Sequence, residues 1–159
     1  MIEKRLIPEC FGDTMLIELL GFPKQNHQKG ITKVISTLSS KYRDERGIGI
    51  IDDDKKKGLA GFSQTNETEE LILLKKHDQP HYLILLKPAL EKWILKNAEL
   101  SGILRKDFGL PDDFDSFRKI IKDINIGQNK NFRRFLLAIK EKNPEPMATL
   151  CGWIHEILD

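Results

Sequence analysis

The chain reads as an α/β protein built on a mainly parallel sheet of about four strands, flanked by helices and followed by a C-terminal helical extension. Three observations predict this. Two short apolar runs, Arg5 to Pro8 and Gly47 to Ile51, each end at acidic residues. Between them lie helical patterns, giving the alternation of a β-α-β unit. From Asp112 onward the pattern is helical throughout.

Taken in order, Arg5 to Pro8 forms a short strand that stops at Glu9, with Pro8 at its end because proline cannot donate to a sheet ladder. Thr14 to Leu20 then places Met15, Leu16, Leu19 and Leu20 on one helical face, with Asp13 or Thr14 as the cap. Gly21-Phe22-Pro23 closes that helix, and Lys24 to Lys29 is too polar for a good strand. Ile31, Val34, Ile35 and Leu38 follow the i, i+3, i+4, i+7 spacing of an amphipathic helix. Gly47 to Ile51 is apolar on both faces, as a strand inside a sheet must be, and runs into Asp52-Asp53-Asp54-Lys55.

Beyond it, Gly58 to Glu70 reads as a surface loop near the acids. Leu71 to Leu74 and Tyr82 to Leu86 are two further strands, and Pro88 is placed at the first turn of a helix carrying Glu91. Three helices follow over Asp113 to Asp123, Asn131 to Lys142 and Pro146 to Leu158. Their stripes, Phe117/Ile120/Ile121/Ile124, Phe132/Phe135/Leu136/Ile139 and Leu150/Trp153/Ile154/Ile157, are core. The expected division is an α/β domain over residues 1–100 and a helical extension over 101–159 packed on it.

Composition narrows the function classes. Of 159 residues, 40% are hydrophobic, enough for a core. Lys and Arg number 26 against 24 Asp and Glu, so a formal charge of +2 excludes a chain that is polybasic overall and leaves only local basic clusters such as Lys55 to Lys57 and Arg133-Arg134. Two cysteines, Cys10 and Cys151, cannot make a disulfide framework, and no Cys/His spacing suggests zinc. No membrane span and no apolar leader are visible, so a cytoplasmic setting is expected.

The chemistry rests on two acidic clusters at strand ends: Glu9 with Asp13, and Asp52 to Asp54. Parallel neighbours would bring these ends to one edge, where open α/β sheets bind ligands. Side chains alternate along a strand, so Asp52 and Asp54 can face the same way and supply oxygen ligands to Mg²⁺ or Mn²⁺. A cation would relieve the repulsion among the carboxylates and leave coordination positions for a phosphate and a water.

In order and spacing these residues resemble the Toprim domain of bacterial primases, topoisomerases, recombination mediator proteins and OLD-family nucleases. That family carries a Glu at the end of its first strand, within an E-G-x-x-D turn, and a D-x-D after a later strand. Glu9-Cys10-Phe11-Gly12-Asp13 and Asp52-Asp53-Asp54 match those acids over about the first 100 residues, with Cys10 where Gly is usual and Gly at position 12. The resemblance implies a Toprim-like (Rossmann-like) fold and Mg²⁺-dependent nucleic-acid phosphodiester hydrolysis. It makes Glu9 the general acid or base and Asp52, Asp54 and Asp13 the metal-holding set. Glu91 resembles a later acidic position of OLD-like members, and Lys33 and Lys55 are accessory candidates, with His27 and His81 as further phosphate contacts.

Other readings fit less. A haloacid-dehalogenase-type phosphatase would carry D-x-D on its first strand, and a receiver-type phosphoacceptor would place its acid pair before its lone Asp. The competing class is a non-catalytic Toprim-like module that binds nucleic acid or a protein partner, such as a separate ATPase, through Lys55 to Lys57 and the C-terminal helices.

Overall fold

The computed structural model describes residues 4–22, 25–53 and 59–159. Asp54 and Lys55 therefore lie outside the described residues. Five strands make one sheet: β1 (Leu6–Pro8), β2 (Gly47–Asp52), β3 (Phe62–Glu67), β4 (Leu71–Lys76) and β5 (His81–Leu86), in the order β1-β2-β5-β4-β3. The sheet is mixed. β1 and β5 run parallel to β2, whereas β4 is antiparallel to both β5 and β3.

The expectation of a mainly parallel, four-stranded sheet is thus corrected in two places. First, only residues 77–80 separate β4 from β5. A connection that short permits an antiparallel hairpin and no parallel crossover, which needs a dozen residues or more. Second, the segment expected as loop over Gly58 to Glu70 contains β3. Its Ser63, Gln64, Thr65 and Asn66 are all exposed, so it lacks the apolar alternation that betrays a half-buried strand. It forms because β4 offers an unpaired edge and because Thr68 Oγ1 accepts from the Leu71 amide at 3.0 Å, shaping the turn. Asn26 and Gln28 also donate to the carbonyls of Leu6 and Pro8, both at 3.1 Å, so this polar stretch lines the outer edge of β1 without being a strand.

The helices are α1 (Phe11–Leu19), α2 (Ile31–Lys41), α3 (Leu90–Ser101), α4 (Phe114–Lys122), α5 (Lys130–Lys142) and α6 (Glu145–Leu158). They divide unequally between the faces. α2 packs Val34 and Leu38 against Ile7, Ile51, Leu83 and Leu85. α1 and α3–α6 share the larger core with Leu6, Ile48, Ile50 and Ile84 on the other face. Glycines in β2 let α2 come close: a Cβ on Gly49 would stand 2.5 Å from Val34 Cγ1, and one on Gly47 would stand 2.6 Å from Leu38 Cδ2.

Polar side chains fasten the far end of the layer. Arg5 and Arg46, just ahead of β1 and β2, donate to the carbonyls of Leu158 and Ile157, both at 3.3 Å, at the carboxyl end of α6 where cations are favoured. Buried Asn97 on α3 accepts from the Met147 amide at 3.1 Å in the first turn of α6. The core stripes of α5 and α6 lie inside as their spacing predicts. Ile124 does not: α4 ends at Lys122, and Ile124 is 68% exposed. Pro88 likewise lies before α3, whose N-cap is Ala89, rather than within its first turn.

Candidate metal centre

β1 ends at Pro8, and Glu9 extends the ladder by donating its amide to the Ile50 carbonyl at 3.2 Å. Its side chain then crosses to the neighbouring strand end, where Glu9 Oε1 accepts from the Asp52 amide at 2.9 Å. Asp52, the last residue of β2, reaches onward: its Oδ1 accepts from the Leu90 amide at 3.0 Å, at the first residue of α3. Two carboxylates therefore stitch β1 to β2 and β2 to α3 through charge-assisted bonds, the stronger kind.

Asp13 arrives by a different route. The expected helix start at Thr14 is three residues late, because α1 begins at Phe11 with Cys10 as its N-cap. The Cys10 thiol accepts from the Asp13 amide at 3.3 Å, a part usually given to Ser, Thr, Asp or Asn. Asp13 is consequently not the cap but a first-turn acid, favoured by the helix dipole and aimed inward. Gly12 serves packing rather than the turn, since a Cβ there would lie 2.6 Å from Leu90 Cδ2 and 2.9 Å from Ile121 Cγ2.

These placements converge. Glu9, Asp13 and Asp52 each offer a carboxylate oxygen, and the three oxygens lie within 4.8 Å of one another. All three residues are buried, at 3%, 0% and 9% exposure. Crowding acids away from water is costly unless something compensates their charge. Among the described residues this is the group of His, Cys, Asp or Glu side chains arranged to hold a metal. The donors are all hard oxygens, as Mg²⁺ and Mn²⁺ prefer.

Above the acids opens a cleft of about 660 Å³ with Glu9 and Asp52 in its lining. Phe11 and His27 form one wall, their rings stacked with centroids 4.7 Å apart. Burial lowers the His27 pKa from its ordinary value, against a bond with the Glu9 backbone that raises it. Glu91 on α3 is buried and also lines the cleft, with Lys122 Nζ 3.9 Å from its Oε1. Burial, reinforced by the charge of Asp13, drives the Cys10 thiol far up, so it stays protonated.

The remaining candidates lie elsewhere. Lys33 is exposed on α2, across the sheet from the cleft, and does not line it. His81 is fully buried at the start of β5, its Nε2 at 2.8 Å from the Tyr42 carbonyl oxygen. Lysine and arginine side chains at the cleft escaped sequence reasoning: Lys29, Lys92, Arg118 and Lys122. A signal existed in the i, i+4, i+8 spacing of Phe114, Arg118 and Lys122, which puts an aromatic and two cations on one stripe of α4.

Comparison with family models, curated proteins and solved structures finds no match to this chain. No helix among the described residues is long and apolar enough to cross a membrane.

Proposed function

We propose that the protein is a Mg²⁺- or Mn²⁺-dependent hydrolase of nucleic-acid phosphodiester bonds. The observation that carries this reading is the convergence of Glu9, Asp13 and Asp52, with oxygens within 4.8 Å, at the carboxyl ends of two parallel strands. The order of acids that resembles the Toprim pattern supports the same reading, as does a cleft bordered by lysines and arginine. Asp13 and Asp52 would hold the metal beside Glu9, and Asp54, two residues beyond Asp52, lies outside the described residues. A bound cation would neutralise the acids, polarise the phosphate and lower the pKa of a water.

The chain's own residues supply the rest. Glu9, fixed at one oxygen by the Asp52 amide, stands in the cleft lining to take the proton of an attacking water. Lys29, Lys92 and Arg118 balance the charge of the phosphates beside it.

One observation favours the non-catalytic module instead: Glu9 and Asp52 each commit an oxygen to a backbone amide, which gives these acids a structural task. A single assay separates the two. Labelled DNA and RNA, single- and double-stranded, are incubated with the protein in Mg²⁺ or Mn²⁺. Hydrolysis is expected from the wild type. It should fall by more than about a hundredfold in Glu9→Gln and in Asp52→Asn, both of which retain a hydrogen-bond acceptor, with unchanged circular dichroism. Nucleic-acid binding without any cleavage would transfer the assignment to the module.

A further inference from the structure

The two sides of the cleft differ in chemistry. On one side Phe11, the first residue of α1, is 38% exposed and stacks on His27 at an interplanar angle of 26°. The platform is fixed, because the residues flanking His27 donate to the carbonyls of Leu6 and Pro8 and tie this stretch to β1. On the other side α3 and α4 contribute Lys92 and Arg118, both exposed, with Lys92 Nζ 5.6 Å from the centroid of Phe114. Glu9 and Asp52 line the same cleft as this aromatic pair and these cations.

That arrangement suits a nucleotide taken out of its stack. Any base can lie on an aromatic face, and its phosphate then falls toward the cations. At about 660 Å³ the cleft has the size that encloses a single small molecule. A duplex keeps its bases paired and stacked, so none can lie on an aromatic platform without first being unstacked.

Resting on the metal-dependent reading of the acids, we propose that the substrate is single-stranded nucleic acid, one base stacking on the Phe11–His27 platform and the adjoining phosphate held by Lys92 and Arg118. Of these four residues Arg118, on α4, comes from the C-terminal helical part, and the other three lie within the first 100 residues.

The test is fluorescence anisotropy with a fluorescein-labelled oligothymidylate and a labelled duplex, each of about 15 units. Ca²⁺ replaces Mg²⁺ to stop cleavage, and Mn²⁺ titrations of the same proteins run alongside. The strand should bind at least about tenfold tighter than the duplex, the scale of one or two stacked bases. Phe11→Ala and Arg118→Ala should each weaken strand binding about tenfold while leaving the Mn²⁺ isotherm unchanged. Phe11→Leu, which keeps apolar bulk and helix packing, should weaken it similarly. Equal affinity for strand and duplex, or full affinity in Phe11→Leu, with an intact Mn²⁺ isotherm overturns the base platform and leaves the metal reading standing. A wild type with no Mn²⁺ isotherm overturns both.

Discussion

The parallel half of the sheet and its antiparallel half are built from different material and do different work. β1, β2 and β5 are apolar on both faces, covered by α2 on one side and by α1 and α3–α6 on the other. β3 with the end of β4 is polar and open to solvent. Of the three clustered acids, Glu9 and Asp52 stand at the carboxyl ends of β1 and β2 and Asp13 in the first turn of α1 that follows β1, and β3 and β4 supply none of them. Parallel strands align their ends on one edge, so the residues that leave them converge, while a hairpin alternates its ends and disperses them. The polar edge of β3 has another use, because a bare apolar edge would invite pairing with a second chain.

The comparison can be broken by packing substitutions. Gly49→Val puts side-chain atoms where Val34 and Leu83 already leave a Cβ only 2.5 Å and 2.7 Å, so it should cost about 3 kcal/mol in urea denaturation. Thr65→Val on β3, which is exposed, should stay within about 0.5 kcal/mol. Similar losses at both positions would mean that the two halves are equally tolerant.

A smaller effect separates the structural bond of Asp52 from the metal-holding role proposed for it. Asp52→Ala leaves the Leu90 amide without its acceptor and should cost about 1–3 kcal/mol. Asp52→Asn keeps an acceptor there and should cost less than about 1 kcal/mol, while both variants lose metal-dependent stabilisation. Thermal melts with and without Mn²⁺ measure both quantities at once. Equal destabilisation by the two variants would remove the structural bond from the account.

The smallest expected effect lies at the opposite edge of the parallel half. Burial lowers the pKa of His81 below its ordinary value, with Lys76 adding to the fall and the Tyr42 backbone and Asp78 opposing it. The unfolded chain therefore takes up this proton at a higher pH than the folded one. Stability contributed by neutral His81 is complete above about pH 6.5 and is lost as pH falls through the folded value. Wild-type urea midpoints should drop below pH 6.5 with a slope of at most about 1.4 kcal/mol per pH unit from this group, and His81→Gln should flatten it. An unchanged slope in the variant would place the titration elsewhere.

Much of this was legible in the sequence because burial leaves a pattern. β2 shows itself as an apolar run with no polar face, and the acids at its end and at that of β1 are conspicuous where the apolar run stops. β3 left no such mark, since an exposed edge strand need not alternate. The start of α1 was misplaced because its cap is a thiol, the residue type least expected to accept the first amide. The cationic wall was missed for a third reason: Arg118 and Lys122 sit on the outer part of an amphipathic helix, where charge normally means only solvent. Only the tertiary fold turns that face toward Glu9 and Asp52.

The central claim is that three buried carboxylates are gathered to bind a divalent cation. Isothermal calorimetry of Mn²⁺ into the wild type and into Glu9→Gln/Asp52→Asn tests it most directly. A saturable isotherm in the wild type and none in the variant, with the variant's metal-free melting temperature close to the wild type's because both substituted side chains keep a hydrogen-bond acceptor, is the predicted result. The same heat in both proteins, or no heat in the wild type, would contradict it.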